Sequence, residues 1–266
     1  MPINPQHVPV LTSLLSAERL GNLTTLTGSA EAAIELHQET LKLGASLMHI
    51  TATVEIALRN TVAENLSRYF GVANWLQHPP AAFSWKDPER NNIAKAVDSA
   101  KRAEYSKLSQ ADKAALDARA FPNGQPANIR HLHRAKARRQ HLVVTEGKVI
   151  AELTLHFWKR LYGPEYDQSL WRTTLKRTFP DKTLSRAAVA AQLEHIYQSR
   201  NRLAHHEPVL HRRFSDTMKA LEFFSRRLGT PRPDPQSPLA TLLKDEIEAL
   251  RVKEAQLRAQ LDAYRI

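Results

Sequence analysis

Residues 198–208, Gln-Ser-Arg-Asn-Arg-Leu-Ala-His-His-Glu-Pro, set two arginines, two histidines, an asparagine and a glutamate around only two apolar residues. Histidine takes and returns protons near neutral pH, and arginine grips a phosphate through paired hydrogen bonds while stabilising the charge that builds on it. Those are the needs of RNA cleavage through the 2′-hydroxyl without a metal. The catalytic candidates are therefore Arg200, Asn201, His205 and His206, with Arg202 as a phosphate contact.

These residues must sit at the end of a helix. Val189, Leu193 and Ile196 keep helical spacing before them, and Pro208 disfavours helical geometry at Glu207, so a helix over 185–206 should end near His206. A helix C-terminus favours protonated histidine. Asn201 and His205 share one face, as do Arg202 and His206, whereas Arg200 and His205 are about 140° apart and could flank a substrate more easily than bond each other. The plainer reading is a polar helix end, with Glu207 pairing an arginine and the histidines capping carbonyls.

The rest of the chain also reads as helices, because apolar residues recur at three and four residue spacing and strict alternation is scarce. Ser29 can cap a helix through Ile34 and Leu41. Gly44 should interrupt or bend it before a stronger segment over 46–70, where Leu47, Ile50, Val54, Leu58, Val62 and Leu66 form a stripe. Glu55, Arg59 and Asn60 lie beside that stripe as polar exceptions, and a Glu55–Arg59 pair would stabilise the helix by about 0.2–0.5 kcal/mol. Further helices are expected over 88–104, 110–120, 142–161, 168–179 and 214–228, with the aromatics Phe157, Trp158, Trp171 and Phe179 in the core.

The densest basic run is Arg130, Arg134, Lys136, Arg138 and Arg139, with His131 and His133. It is a solvated face by default and the best electrostatic candidate for RNA phosphates. The whole chain points the same way: 38 Lys and Arg against 27 Asp and Glu give +11, with twelve histidines in addition, which suggests a polyanionic partner. The absence of cysteine removes thiolate zinc sites, disulfides and cysteine nucleophiles, and suits a reducing compartment. Histidine clusters at 205, 206 and 211 or at 131, 133 and 141 have little carboxylate support, so no metal and no cofactor is expected. No run approaches eighteen apolar residues and the start lacks a basic segment, so a soluble cytoplasmic protein without a membrane partner is expected.

The segment Arg200-Asn201-Arg202-Leu203-Ala204-His205-His206-Glu207-Pro208 resembles the Arg-Asn-x3-His-His-Glu-Pro signature of the Abi-like, abortive-infection family, a branch of the HEPN superfamily. Glu55-Ile56-Ala57-Leu58-Arg59-Asn60 is similar to that family's early Glu-x2-Leu-Arg-Asn element, and Phe157-Trp158, Leu170-Trp171 and Phe179-Pro180 to its mid-chain landmarks. The resemblance covers roughly residues 30–225. It implies an all-α, HEPN-like bundle with additional helices and a metal-independent endoribonuclease of an anti-phage or toxin-like system. Arg200 and His205 would be the catalytic pair, Asn201 would orient the site, and His206 would substitute for His205 or contact phosphate. A homodimer with a composite cleft is implied too, along with a neutralising antitoxin or a guide-like RNA or protein. A non-catalytic RNA-binding module and a helical interaction scaffold are the alternatives.

The proline-rich stretch 229–238 should be an extended linker. It divides the chain into a helical domain over 1–228 and a C-terminal amphipathic, coiled-coil-like helix over 239–266. There Leu243, Ile247, Leu250, Leu257, Leu261 and Tyr264 keep a four-three spacing interrupted by Glu254, and oligomerisation is the favoured use of the seam.

Overall fold

A computed structural model of the chain describes residues 3–265. Met1 and Pro2, read above for a leader segment, and Ile266 lie outside the described residues. The regular secondary structure of the described residues is all helical, with no strand among them. In chain order the helices are α1 (Val8–Leu15), α2 (Ala17–Thr27), α3 (Ala30–Phe70), α4 (Asp87–Lys107), α5 (Gln110–Ala115), α6 (Asp117–Ala120) and α7 (His131–Gln140). They continue with α8 (Glu146–Glu152), α9 (Leu155–Arg160), α10 (Arg186–Ala204), α11 (His211–Arg227), α12 (Pro238–Leu242) and α13 (Lys244–Ala263).

Two compact units form, one from the residues up to Leu58 together with those from Thr178 onward, the other from Arg59–Arg177. The first unit buries Leu43, Leu47, Ile50 and Val54 of α3 and Val189, Leu193, Ile196 and Leu203 of α10. Phe214, Met218, Leu221 and Phe224 of α11 are buried as well. Each set recurs at three or four residue spacing, so the apolar stripes legible in the sequence are the faces that fill this core.

Gly44 does not break α3, which runs unbroken over 41 residues. A methyl group on Gly44 would stand 3.3 Å from Leu203 Cδ2, so glycine here admits the close approach of α10. By length and hydropathy α3 could cross a membrane, which a count of consecutive apolar residues did not reveal, yet its stripe is spent on the core.

The C-terminal seam, apart from exposed Tyr264, is likewise buried within the chain. Leu243, Ile247, Leu250, Leu257 and Leu261 are all buried, and Lys253 of α13 donates to Ser46 of α3 at 2.9 Å. The seam for which oligomerisation was the favoured use thus packs within its own chain. The stretch 229–238 does not set α13 apart from the unit. Gly229 N–H bonds the Thr178 carbonyl at 2.9 Å, Asp234 N–H the Arg226 carbonyl at 2.8 Å, and the buried Ser237 hydroxyl the Ser225 carbonyl at 2.6 Å.

In the second unit Phe70, Trp75, Phe83, Trp85, Phe157 and Tyr166 form one aromatic cluster, with neighbouring rings 4.8–6.5 Å apart. Glu89, fully buried beneath it, accepts from Tyr166 Oη at 2.7 Å and from Arg160 Nε. Burial, and then the bond to Glu89, pushes the Tyr166 hydroxyl well above the ordinary phenol value.

Three expected helices are rearranged here, the first being 110–120, which is divided into α5 and α6 at Leu116. The segment 142–161 is split into α8 and α9 by extended backbone at Leu153 and Thr154 (ψ 128° and 164°), and 168–179 forms a π turn (Asp167–Trp171) followed by a 3-10 turn (Leu175–Thr178).

Candidate active site at the end of helix α10

Serine 185 opens α10 by accepting from Ala188 N–H at 3.1 Å. The helix ends at Ala204, close to the position Pro208 dictates. Its last turn closes as a Schellman motif: Glu207 N–H bonds the Arg202 carbonyl at 2.9 Å and His206 N–H the Leu203 carbonyl at 3.0 Å.

The left-handed position of that motif usually belongs to glycine, yet His206 occupies it with φ 56°. For a residue with a Cβ this conformation costs roughly 1–2 kcal/mol. Buried Leu203 and Val209 anchor the chain on either side, while His205 and His206 are exposed.

Two arginines fasten the turn. Arg202 holds Glu207 at 3.0 Å and donates from Nε to the Pro208 carbonyl at 3.3 Å, so the polar pairing expected of Glu207 falls on Arg202. Arg19 of α2 donates to the His206 carbonyl at 3.1 Å. That contact was not foreseen, because nothing in the local pattern of residues 5–27 connects them with the motif.

Beside Arg19, His37 of α3 is buried and its Nδ1 has no hydrogen-bond partner. Loss of water, and then the Arg19 charge, hold its imidazole below the ordinary histidine value.

Arg200 faces the other way. Its Nε lies 3.9 Å from Glu55 Oε2 of α3, with both side chains partly covered. The early Glu55 element is thus joined to the motif through space, a partnership the i,i+4 reading of Glu55 with Arg59 did not contain. Arg59 Nε donates to the side chain of its neighbour Asn60 at 3.4 Å. Asn201 is half-buried one turn before His205.

From His131 onward the basic run folds as helix α7, which was not among the helices expected from the sequence. Arg134 and Arg138 both bond the Asp117 carboxylate, and Arg138 is buried. Those two guanidinium groups hold Asp117 well below the ordinary carboxylate range. Arg139 lies 3.8 Å from Asp98. Arg130 and Lys136, with His131 and His133, are the exposed members of the run.

Among the described residues no group of three or more metal-capable His, Cys, Asp or Glu side chains gathers. Comparison of the chain with protein-family models, curated proteins and solved structures returns no match.

Proposed function

We propose that the end of α10 is the working part of a metal-independent endoribonuclease of the Abi-like, HEPN type, acting in the bacterial cytoplasm in an anti-phage or toxin-like response. The carrying observation is the strained His206 (φ 56°) beside exposed His205, at a helix end fastened by Arg202 and Arg19. Backbone strain persists only where the surrounding structure over-determines it, and it clusters at functional sites.

In the reaction, His205 takes the proton from a ribose 2′-hydroxyl, and O2′ attacks the adjacent phosphorus. The bond from phosphorus to the 5′-oxygen breaks, and that oxygen takes a proton from water as it leaves. The products are a 2′,3′-cyclic phosphate and a 5′-hydroxyl. Arg200, steadied by Glu55, stabilises the charge on the phosphoryl oxygens, and Asn201 orients the imidazole.

Because Arg200 turns toward α3 while His205 lies about 140° round the helix, the pair flanks a substrate best when a second copy completes the cleft. A homodimer belongs to the proposal because the resemblance to the HEPN superfamily implies a composite cleft between two copies. The same divergence favours, as second reading, a module that holds RNA without cutting it.

Purified protein incubated with total RNA in EDTA should produce cyclic-phosphate ends, and Arg200→Ala or His205→Ala should abolish them. RNA left intact by the wild type, but bound less tightly by both variants, would establish the second reading instead.

A further inference from the structure

Helix α10 carries a second polar feature on the face that leads to His205. His195, Gln198, Arg202 and His205 fall within about 80° of one another around an ideal helix, on the side away from Arg200. Beside His195 and Gln198 the groove between α10 and α11 opens into a cavity of about 250 Å³, whose far wall is Arg212, Arg213 and Asp216.

The floor of this cavity is polar and already satisfied: buried Ser199 and Thr217 share a 2.6 Å hydrogen bond, and Thr217 Oγ1 donates to the Arg213 carbonyl at 2.7 Å. The walls carry charge. Arg213 Nη1 donates to Gln198 Oε1 at 3.1 Å across the two helices, which fixes the guanidinium over the opening. Arg212 is 95% exposed, with Nε 3.6 Å from Asp216, so the acid of the cavity is balanced on the spot. His195 stands exposed at the rim.

Local sequence adds to the positive character. The first turn of α11 contains no acidic residue and no side-chain cap; it presents His211, Arg212 and Arg213 where helices ordinarily favour Asp or Glu. His211 itself is held at φ 52°, a backbone conformation that costs energy in a residue with a Cβ. Two strained histidines therefore bracket the short loop that joins the reactive turn to this wall.

We infer that the α10–α11 cavity is a subsite for a backbone phosphate of single-stranded RNA, held by Arg213, His195 and Arg212, a few nucleotides from the bond cut beside His205. This rests on RNA being the ligand of the α10 turn. Ten residues of helix place His195 about 15 Å from His205 along the axis, too far to touch the reacting phosphate and near enough to hold the same strand. His195, Arg212 and Arg213 are positioning residues: they fix the strand and leave the chemical step to the turn.

The test separates binding from cutting. A fluorescent single-stranded 2′-O-methyl oligonucleotide, which cannot be cleaved through its 2′-oxygen, is titrated onto the full-length protein while anisotropy is read over a range of salt. Arg213→Gln with His195→Gln should raise Kd about tenfold and flatten the salt dependence by about one phosphate contact. With unmodified RNA the same variant should raise KM and keep kcat.

Wild-type affinity and salt slope in a folded double variant would overturn the subsite even if the wild type cleaves RNA. Absence of oligonucleotide binding by the wild type would overturn it as well. Loss of affinity in the variant, in a protein that never cleaves RNA, would uphold the subsite and sink only the ribonuclease reading. Matching thermal unfolding of variant and wild type guards against a folding defect.

Discussion

Gly44 of α3 lies against Leu203 of α10, so closely that a methyl group on the glycine would sit 3.3 Å from Leu203 Cδ2. Leu203 is the buried apolar residue of the Arg200–His206 segment, so the spacing of the two helices is set at the motif itself. Glycine within a helix costs about 1 kcal/mol relative to alanine, and here that cost accompanies a close approach. Gly44→Ala should be nearly neutral, within about 0.5 kcal/mol, because the gain in propensity offsets the small yielding required of Leu203. Gly44→Leu should cost about 1–3 kcal/mol by overpacking and lower Tm. Thermal unfolding followed by circular dichroism decides it; a leucine variant as stable as the wild type would mean that α10 moves freely at this point.

His206 separates stability from function. Replacing it with glycine relieves the left-handed backbone at φ 56° and should stabilise the fold by about 1 kcal/mol, the local strain outweighing the added entropy of the unfolded chain. RNA affinity should fall in the same variant, since an exposed imidazole is lost from the turn. His206→Val should lose on both counts, a branched side chain being least tolerant of this conformation. Urea midpoints for the three proteins give the order directly, and a glycine variant less stable than the wild type would place the contribution of His206 in its side chain.

What the sequence made legible was repetitive and local. The stripe on α3, the Val189, Leu193 and Ile196 face of α10, and the stop enforced by Pro208 are all written within a few turns of chain. What it hid depended on distant partners. Gly44 reads as a breaker until Leu203 is seen against it, and Arg134 and Arg138 read as free charge until Asp117, 17 and 21 residues earlier, is found between them. Glu55 likewise points to Arg59 by spacing and reaches Arg200 by folding. His195, Arg212 and Arg213 carried no motif. The shared face of His195, Gln198, Arg202 and His205 on one helix could have singled out His195, whereas nothing local tied Arg212 and Arg213 of α11 to it.

Asp117 ties α6 to α7 through both arginines, so Asp117→Asn should lower Tm more than Arg130→Ala or Lys136→Ala, whose side chains are exposed. The carboxyl is depressed in the folded chain, first by its bond to Arg138 and then by Arg134. Its stabilising contribution is therefore complete above the ordinary carboxylate range and lost as pH falls below it. The asparagine variant should show a flatter decline in stability between about pH 5 and 3 than the wild type. Parallel declines would remove the ion pair from the acid sensitivity of the fold.

Truncation before Pro238 should unfold much of the first unit rather than release a dimer. Leu250, Leu257 and Leu261 are buried in the chain that carries them, and each buried leucine contributes about 1.5–3 kcal/mol. The shortened protein should show a lower urea midpoint and expose apolar surface to a hydrophobic dye. A stable, dye-silent truncation that has only lost self-association would return the helix to an oligomerising role.

His37 should make the fold around the turn at the end of α10 sensitive to pH. The imidazole is buried on α3 with Nδ1 lacking a partner, and loss of water, reinforced by the Arg19 charge, keeps its folded value below the ordinary one. Between the two values the unfolded chain binds a proton that the folded chain refuses, so stability falls as pH drops through the ordinary histidine value, from about 7 toward 5. Arg19 also holds the His206 carbonyl, so a charge on His37 would repel the residue that fastens the turn. His37→Leu should flatten the pH dependence of the urea midpoint in that window, and Arg19→Gln should flatten it partly while loosening the turn. Twelve histidines contribute a background, so the comparison with wild type carries the result, and identical slopes in wild type and His37→Leu would show that the ring is hydrated in solution.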